Sequence, residues 1–111
     1  MTLAELITYL DQHTPFGILD GDPDSTLKKA RDGAHKHAVA GEIIQSIADA
    51  NGCPDTTCTL ERADVITSLG PMRLRYMADD APVEGFRTVE GVIRTIDAAF
   101  NDEALHLKRG G

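Results

Sequence analysis

The sequence predicts an all-α fold, a single-domain helical bundle of four to five helices with one long central helix at about residues 25–51. Apolar residues recur at helical spacing in several segments, and Gly, Pro, Asn and Asp separate these segments. The one segment that alternates like a strand has no convincing partner strand. With 111 residues the chain has the usual length of one domain, so residues 1–111 are expected to form a single helical domain.

The first helix is predicted over residues 3–12. Thr2 and Glu5 have the spacing of a capping box, in which each residue satisfies a backbone N–H group of the other. Pro15 should end the helix, because the residue before a proline is disfavoured in helical conformation. The apolar residues of this segment fall on one face: Leu3, Leu6, Ile7 and Leu10.

The long central helix is predicted between a turn rich in Asp, Gly and Pro and a terminating Asn51-Gly52 pair. Asp24 or Ser25 is the expected N-cap. The first half has a narrow alanine stripe, and the second half has a broad stripe that includes Ile43, Ile44 and Ile47. A break or kink could occur at Gly33 or Gly41, because each glycine costs a helix about 1 kcal/mol relative to alanine.

Two or three further helices are expected in the second half of the chain. Thr59 should cap one of them, with Leu60, Ala63, Ile66 and Leu69 facing inward and Gly70-Pro71 at its end. Residues 72–78 are also interpreted as helical. Thr88 should cap the last helix, which ends near Lys108 and Arg109 and buries Val89, Val92, Ile93, Ile96, Ala99 and Phe100.

The chain is acidic, with 18 Asp and Glu against 11 Lys and Arg and a formal net charge of −7. Such a surface repels phosphate, so we expect neither membrane binding nor direct binding of nucleic acid. It suits a protein partner with a basic surface. No apolar run reaches the roughly 20 residues of a membrane span, and no signal peptide is evident, so a cytoplasmic location is expected.

An acidic turn places Asp20, Asp22 and Asp24 at alternate positions, like the first ligands of a calcium-binding EF-hand loop. The similarity ends there, because Ser25 occupies the position of the loop glycine and Arg31 that of the bidentate glutamate. A turn that caps the following helix is the favoured interpretation. We therefore predict no metal and no cofactor.

The histidines and cysteines give no complete site. His35 and His37 point in different directions on a helix, so a solvated helix face is favoured over a shared metal. Cys53 and Cys58 could form half of a zinc site or a loop disulfide. No second ligand pair has suitable spacing, and a reducing cytosol favours unpaired thiols.

These observations predict a small acidic accessory or inhibitor protein, of a phage or bacterial type, that occupies a basic surface of its partner. The alanine-lined face of the long helix should let another helix approach closely, either within the fold or across a homodimer. The residues predicted to contact the partner are Lys28, Arg31, His35, His37, Asp79, Asp80 and Glu84.

Two other classes of function remain as alternatives. A small metal-dependent or histidine-based enzyme would combine the histidines or the acidic turn with a cysteine; no nucleophile motif supports it, so catalysis is the less favoured reading. A helix-turn-helix-like DNA-binding regulator would place Arg73, Arg75 and Arg87 on one exposed face.

Overall fold

Five helices form the part of the chain that the computed structural model describes, which is residues 1–13, 18–35, 38–72 and 89–110. They are α1 (Leu3–His13), α2 (Pro23–Arg31), α3 (Ala38–Ala50), α4 (Arg62–Ser68) and α5 (Val89–Gly110). Each helix contacts the next along the chain, and α5 also contacts α1, so the helices close into a ring. Within the described ranges there is no strand, and the predicted all-α class is confirmed.

Aliphatic side chains fill the space inside this ring. Burial of each such side chain stabilises the fold by about 1.5–3 kcal/mol. The radius of gyration, 13.3 Å, agrees with a compactly folded chain of this length. None of the helices in the described ranges is long and apolar enough to cross a bilayer. The largest fully buried side chains are Leu3, Leu6, Ile7, Leu10, Ile18, Ile43, Ile44, Ile47, Val65, Leu69 and Ile96.

The predicted capping box closes the N-terminus of α1. The backbone N–H of Glu5 donates to Thr2 Oγ1 at 3.2 Å, and the backbone N–H of Thr2 donates to Glu5 Oε1 at 3.0 Å. Leu3 and Ala4 donate their N–H groups to backbone carbonyls of the 56–58 segment. The first turn of α1 is therefore satisfied partly by its own cap and partly by a distant loop.

The prediction of one continuous helix over residues 25–51 is wrong. α2 ends at Arg31, and Gly33 has a φ of +71°, which is left-handed backbone. The N–H of Gly33 donates to the carbonyl of Ala30, and the N–H of Ala34 donates to that of Lys29. These two bonds form a Schellman motif, which satisfies the last carbonyls of a helix and turns the chain away from its axis.

After this break, α3 packs closely against the end of α2. A Cβ at Gly41 would lie 2.9 Å from the Cβ of His35 and 3.7 Å from the Cα of Ala30. Gly41 is therefore a position of close helix approach, where a larger residue would displace its neighbours. Small residues on this segment were expected to allow close approach within the fold or across a dimer, and at Ala30 the contact lies within the fold.

The predicted end of the segment at Asn51-Gly52 is confirmed. Gly52 has a φ of +65° and donates its N–H to the carbonyl of Asp49, while Cys53 donates to that of Ala48. α3 therefore ends in a second Schellman motif. Cys53 follows this turn and Ala48 lies in the last turn of α3. Both are buried, and an apolar contact between these two positions often accompanies the motif.

The start of α4 differs from the prediction. The helix begins at Arg62 after Glu61, which makes no side-chain capping bond. Thr59 instead forms an isolated antiparallel bridge with Thr2. Leu60 and Leu69 are buried and Ile66 packs against the core, as predicted. Ala63 is exposed, and Val65 is buried in addition.

The apolar stripe of α5 is confirmed from Val92 to Phe100, and the helix continues to Gly110. Met72, which follows α4 in the chain, has helical backbone and a buried side chain. Residues 73–78 and the predicted cap Thr88 lie outside the described residues.

Candidate functional site

A groove runs along the outer side of α1, between this helix and α5. We call it the α1–α5 groove, and its volume is about 470 Å³. It lies on the side of α1 opposite to the buried Leu6 and Leu10. The residues that line it are Met1, Ala4, Glu5, Thr8, Tyr9, Gln12, Ala99 and Asp102.

Helical periodicity explains why these residues share one face. Ala4, Thr8 and Gln12 follow one another at intervals of four, which places them on one stripe of α1, and Met1 lies just before the helix. Ala99 and Asp102 have the same relation on α5. Small side chains at Ala4, Thr8 and Ala99 leave the groove open.

A hydrogen bond between the two helices fixes one side of the groove. The hydroxyl of Tyr9 donates to Asp102 Oδ2 at 2.8 Å. Desolvation raises the pKa of Tyr9, and the bond to Asp102 raises it further, so the phenol stays protonated at neutral pH. The ring of Tyr9 also stacks on His13, with the ring centroids 3.8 Å apart.

The rim of the groove is acidic. Glu5 and Asp102 are both exposed, and no Lys or Arg is among the described lining residues. The hydrogen bonds from the backbone and side chain of Thr2 lower the pKa of Glu5. Glu5 is therefore ionised well below neutral pH. The rim carries the two carboxylates, with the positive α-ammonium group of Met1 acting on Glu5, around a floor of uncharged side chains.

The predicted contact residues on α2 and after it differ in how exposed they are and in whether they bond to the rest of the fold. Lys28 is exposed, as a contact residue must be. Arg31 donates to the backbone carbonyls of Cys53 and Pro54, at 2.5 and 3.0 Å. Its guanidinium also lies 3.7 Å from Asp49, so it holds the fold together as well as facing solvent.

The expectation that His35 lies on a solvated helix face is wrong. Its side chain is only 7% exposed, and Nε2 lies 2.8 Å from the backbone carbonyl oxygen of Ile18. Its ring joins the segment after α2 to the segment before α2. The other predicted contact residues, His37, Asp79, Asp80 and Glu84, lie outside the described residues.

Cys53 and Cys58 form a disulfide, with an S–S distance of 2.08 Å, so the preference for unpaired thiols is wrong. The loop that it closes contacts three other parts of the fold. Arg31 holds its first carbonyls, Thr56 donates its hydroxyl to Asp24 Oδ1, and two of its carbonyls accept the N–H groups of α1. Sequence alone could allow this pairing but could not select it.

A second pocket lies between α2 and the disulfide loop, with a volume of about 430 Å³. Its charges are mixed, because Lys28 and Arg31 line it together with Asp24, Asp32 and Asp55. Arg31 and Asp24 already bond to the loop, so this pocket does not present one sign of charge to a ligand. It suits a bound ligand less well than the α1–α5 groove does.

The acidic turn has the capping role that the sequence predicted, although the cap is Asp22 and not Asp24 or Ser25. Asp22 Oδ1 accepts the N–H of Ser25 at 2.8 Å, and Pro23 occupies the first helical position. Asp20 pairs with Lys29 at 2.9 Å. Each carboxylate of the turn therefore bonds to a different group of the fold.

In the described ranges, no three His, Cys, Asp or Glu side chains lie close enough together to hold a metal ion. The α1–α5 groove combines small uncharged side chains with two carboxylates at its rim. No protein-family model matches the chain, and comparisons with curated proteins and with solved structures find no match.

Proposed function

We propose that this protein acts by binding another protein, and that its acidic surface meets a basic surface of the partner. An accessory or inhibitor role, of a phage or bacterial type, follows if the occupied surface is the partner's own binding site. The distribution of charge in the structure is the observation that supports this proposal.

Most of the described basic side chains are held by the fold itself. Lys29 pairs with Asp20, Arg31 bonds to the disulfide loop, and Arg62 pairs with Asp97. Exposed acidic side chains outnumber the exposed basic ones among the described residues, although several of them also bond within the fold: Glu5, Asp22, Asp24, Asp32, Asp49, Asp55, Glu61, Asp64 and Asp102. Such an excess attracts a basic partner and speeds encounter with it.

The alternatives gain no support from the described residues. Of the two histidines that the structure describes, His35 is buried against a backbone carbonyl, and the exposed His13 stacks on Tyr9. The arginines of the DNA-binding alternative, Arg73, Arg75 and Arg87, lie outside the described residues. The homodimer was expected through a continuous helix, and that helix is divided at Gly33.

The cytoplasmic location belongs to the proposal, and the disulfide weighs against it. Disulfides such as Cys53–Cys58 persist in oxidising compartments and are rare where thiols are kept reduced. Thiol labelling of the protein in its native cell distinguishes a reducing compartment from an oxidising one. Labelled thiols would support a reducing location, and unlabelled cysteines would contradict it.

Affinity capture from the native cell tests the proposed function. We expect a basic protein that is retained at about 0.1 M salt and released at about 1 M, because the screening length falls from about 10 to about 3 Å. Recovery of no partner, or of an acidic partner that resists salt, would contradict the proposal. The Lys28→Gln variant serves as a second bait. If it no longer captures the partner, the contact lies on α2.

A further inference from the structure

We infer that the α1–α5 groove is the docking site, and that its occupant is one amphipathic, basic helix of the partner protein. This inference rests on the proposed function and adds to it the location of the contact and the structure of the partner segment. The groove's dimensions, its floor and its rim each support it.

The length of the groove matches a short helix. The helical part of the lining extends from Ala4 to Gln12, which is roughly 12 Å at about 1.5 Å per residue. A partner helix of two to three turns, about 11–16 Å, would cover that length. The groove lies between two helices, α1 and α5, and a groove is a recurring setting for a helical ligand.

The floor favours apolar side chains of the occupant. Ala4 and Thr8 are small and half-buried, Ala99 is fully buried, and Met1 is a partly buried hydrophobic residue that packs against the core. Because the Tyr9 hydroxyl is already bonded to Asp102, the ring can present its carbon atoms to a ligand without leaving a polar group unsatisfied. Residues at i, i+3, i+4 and i+7 of the partner would fill this floor.

The rim determines the charge of the occupant. Glu5 belongs to α1 and Asp102 to α5, so a helix between them meets a carboxylate on each side. Lys and Arg on the flanks of the partner helix would reach these carboxylates, while acidic flanks would be repelled. The phosphates of a nucleic acid would be repelled in the same way.

Synthetic peptides of about 14 residues provide the probe, a length of about four helical turns. One carries Leu at i, i+3, i+4 and i+7 with Lys elsewhere, the second replaces every Lys by Glu, and the third scrambles the first. NMR titration of the whole chain should give shifts at Ala4, Thr8 and Gln12 with the first peptide. The Glu peptide should not bind, and the scrambled peptide should bind more weakly.

Charge variants at the rim make the test specific. Gln12→Lys places a positive charge on an exposed lining residue and should weaken binding of the Lys peptide about two- to five-fold, the size of one surface charge contact. Asp102→Asn should weaken it similarly while keeping an acceptor for Tyr9. Asp64→Asn, which makes the same charge change on α4 outside the groove, should leave the affinity unchanged.

Several results would overturn the inference: no binding of the Lys peptide, equal binding of the scrambled peptide, or shifts that map to another surface. Equal weakening by Asp64→Asn would mean that net charge alone attracts the peptide. Melting by circular dichroism shows whether each variant is folded. If a basic partner is captured but the groove variants bind it normally, the docking site is wrong and the proposed function stands.

Discussion

Replacement of Gly33 by alanine distinguishes two separate helices, α2 and α3, from one continuous helix. It should lower the free energy of unfolding in the first case and raise it in the second. Gly33 has a φ of +71°, and no atom lies within 4 Å of where a Cβ would be. The space is open, so the cost comes only from the left-handed backbone, about 1–2 kcal/mol for an L-residue. In a continuous helix the same change would stabilise the protein by about 1 kcal/mol.

The assay is thermal unfolding followed by circular dichroism. With an unfolding entropy of about 2.1 cal/mol/K per residue, the expected loss lowers the Tm by roughly 4–9 °C. Gly33→Asn should lose less, because asparagine tolerates left-handed backbone. Gly70→Ala is the matched control, since Gly70 has open space and no positive φ. A higher Tm for Gly33→Ala would refute the break.

Two more predictions concern the N-terminal end of α1 and the loop that contacts it. Reduction of the Cys53–Cys58 disulfide, which has a sequence separation of 5, should cost about 2 kcal/mol from loop entropy; equal Tm values with and without a thiol reductant would contradict this. Because the pKa of Glu5 is lower in the fold than its ordinary 4.5, its stabilising effect is present above that pH and is lost as the pH falls through the folded value. Glu5→Gln should therefore flatten the decline in Tm as the pH falls below 4.5, and an unchanged decline would argue against the capping box as its source.

Local signals in the sequence predicted several elements correctly. The Thr2 and Glu5 pair specifies the start of α1 because the capping box involves residues three apart. Gly52 specifies the end of α3 because glycine readily takes the left-handed backbone of a helix terminus. The stripe of α5 is regular enough to identify its buried face.

Other features depend on contacts between distant segments. A glycine inside an apolar stripe only weakens a helix, and the close packing of Gly41 against His35 shows how tertiary contacts stabilise the break near Gly33. The burial of His35 requires the carbonyl of Ile18, and the pairing of Cys53 requires a particular loop geometry. None of these partners is specified by spacing along the chain.

The groove was missed for a similar reason. Its stripe on α1 could be seen as helical spacing of Ala4, Thr8 and Gln12, but these residues are not apolar enough to mark a binding face. Only the position of α5, with the bond from Tyr9 to Asp102, turns that stripe into one wall of a groove.

Photo-crosslinking in the native cell tests the central claim most directly. A benzophenone amino acid replaces Gln12 in the groove, and in a matched experiment it replaces Lys28 on α2; both side chains are exposed. We predict that position 12 crosslinks to a partner segment with apolar residues at helical spacing and an excess of Lys and Arg, and that position 28 does not. A crosslink from position 28 alone, or an acidic segment at position 12, would contradict the account.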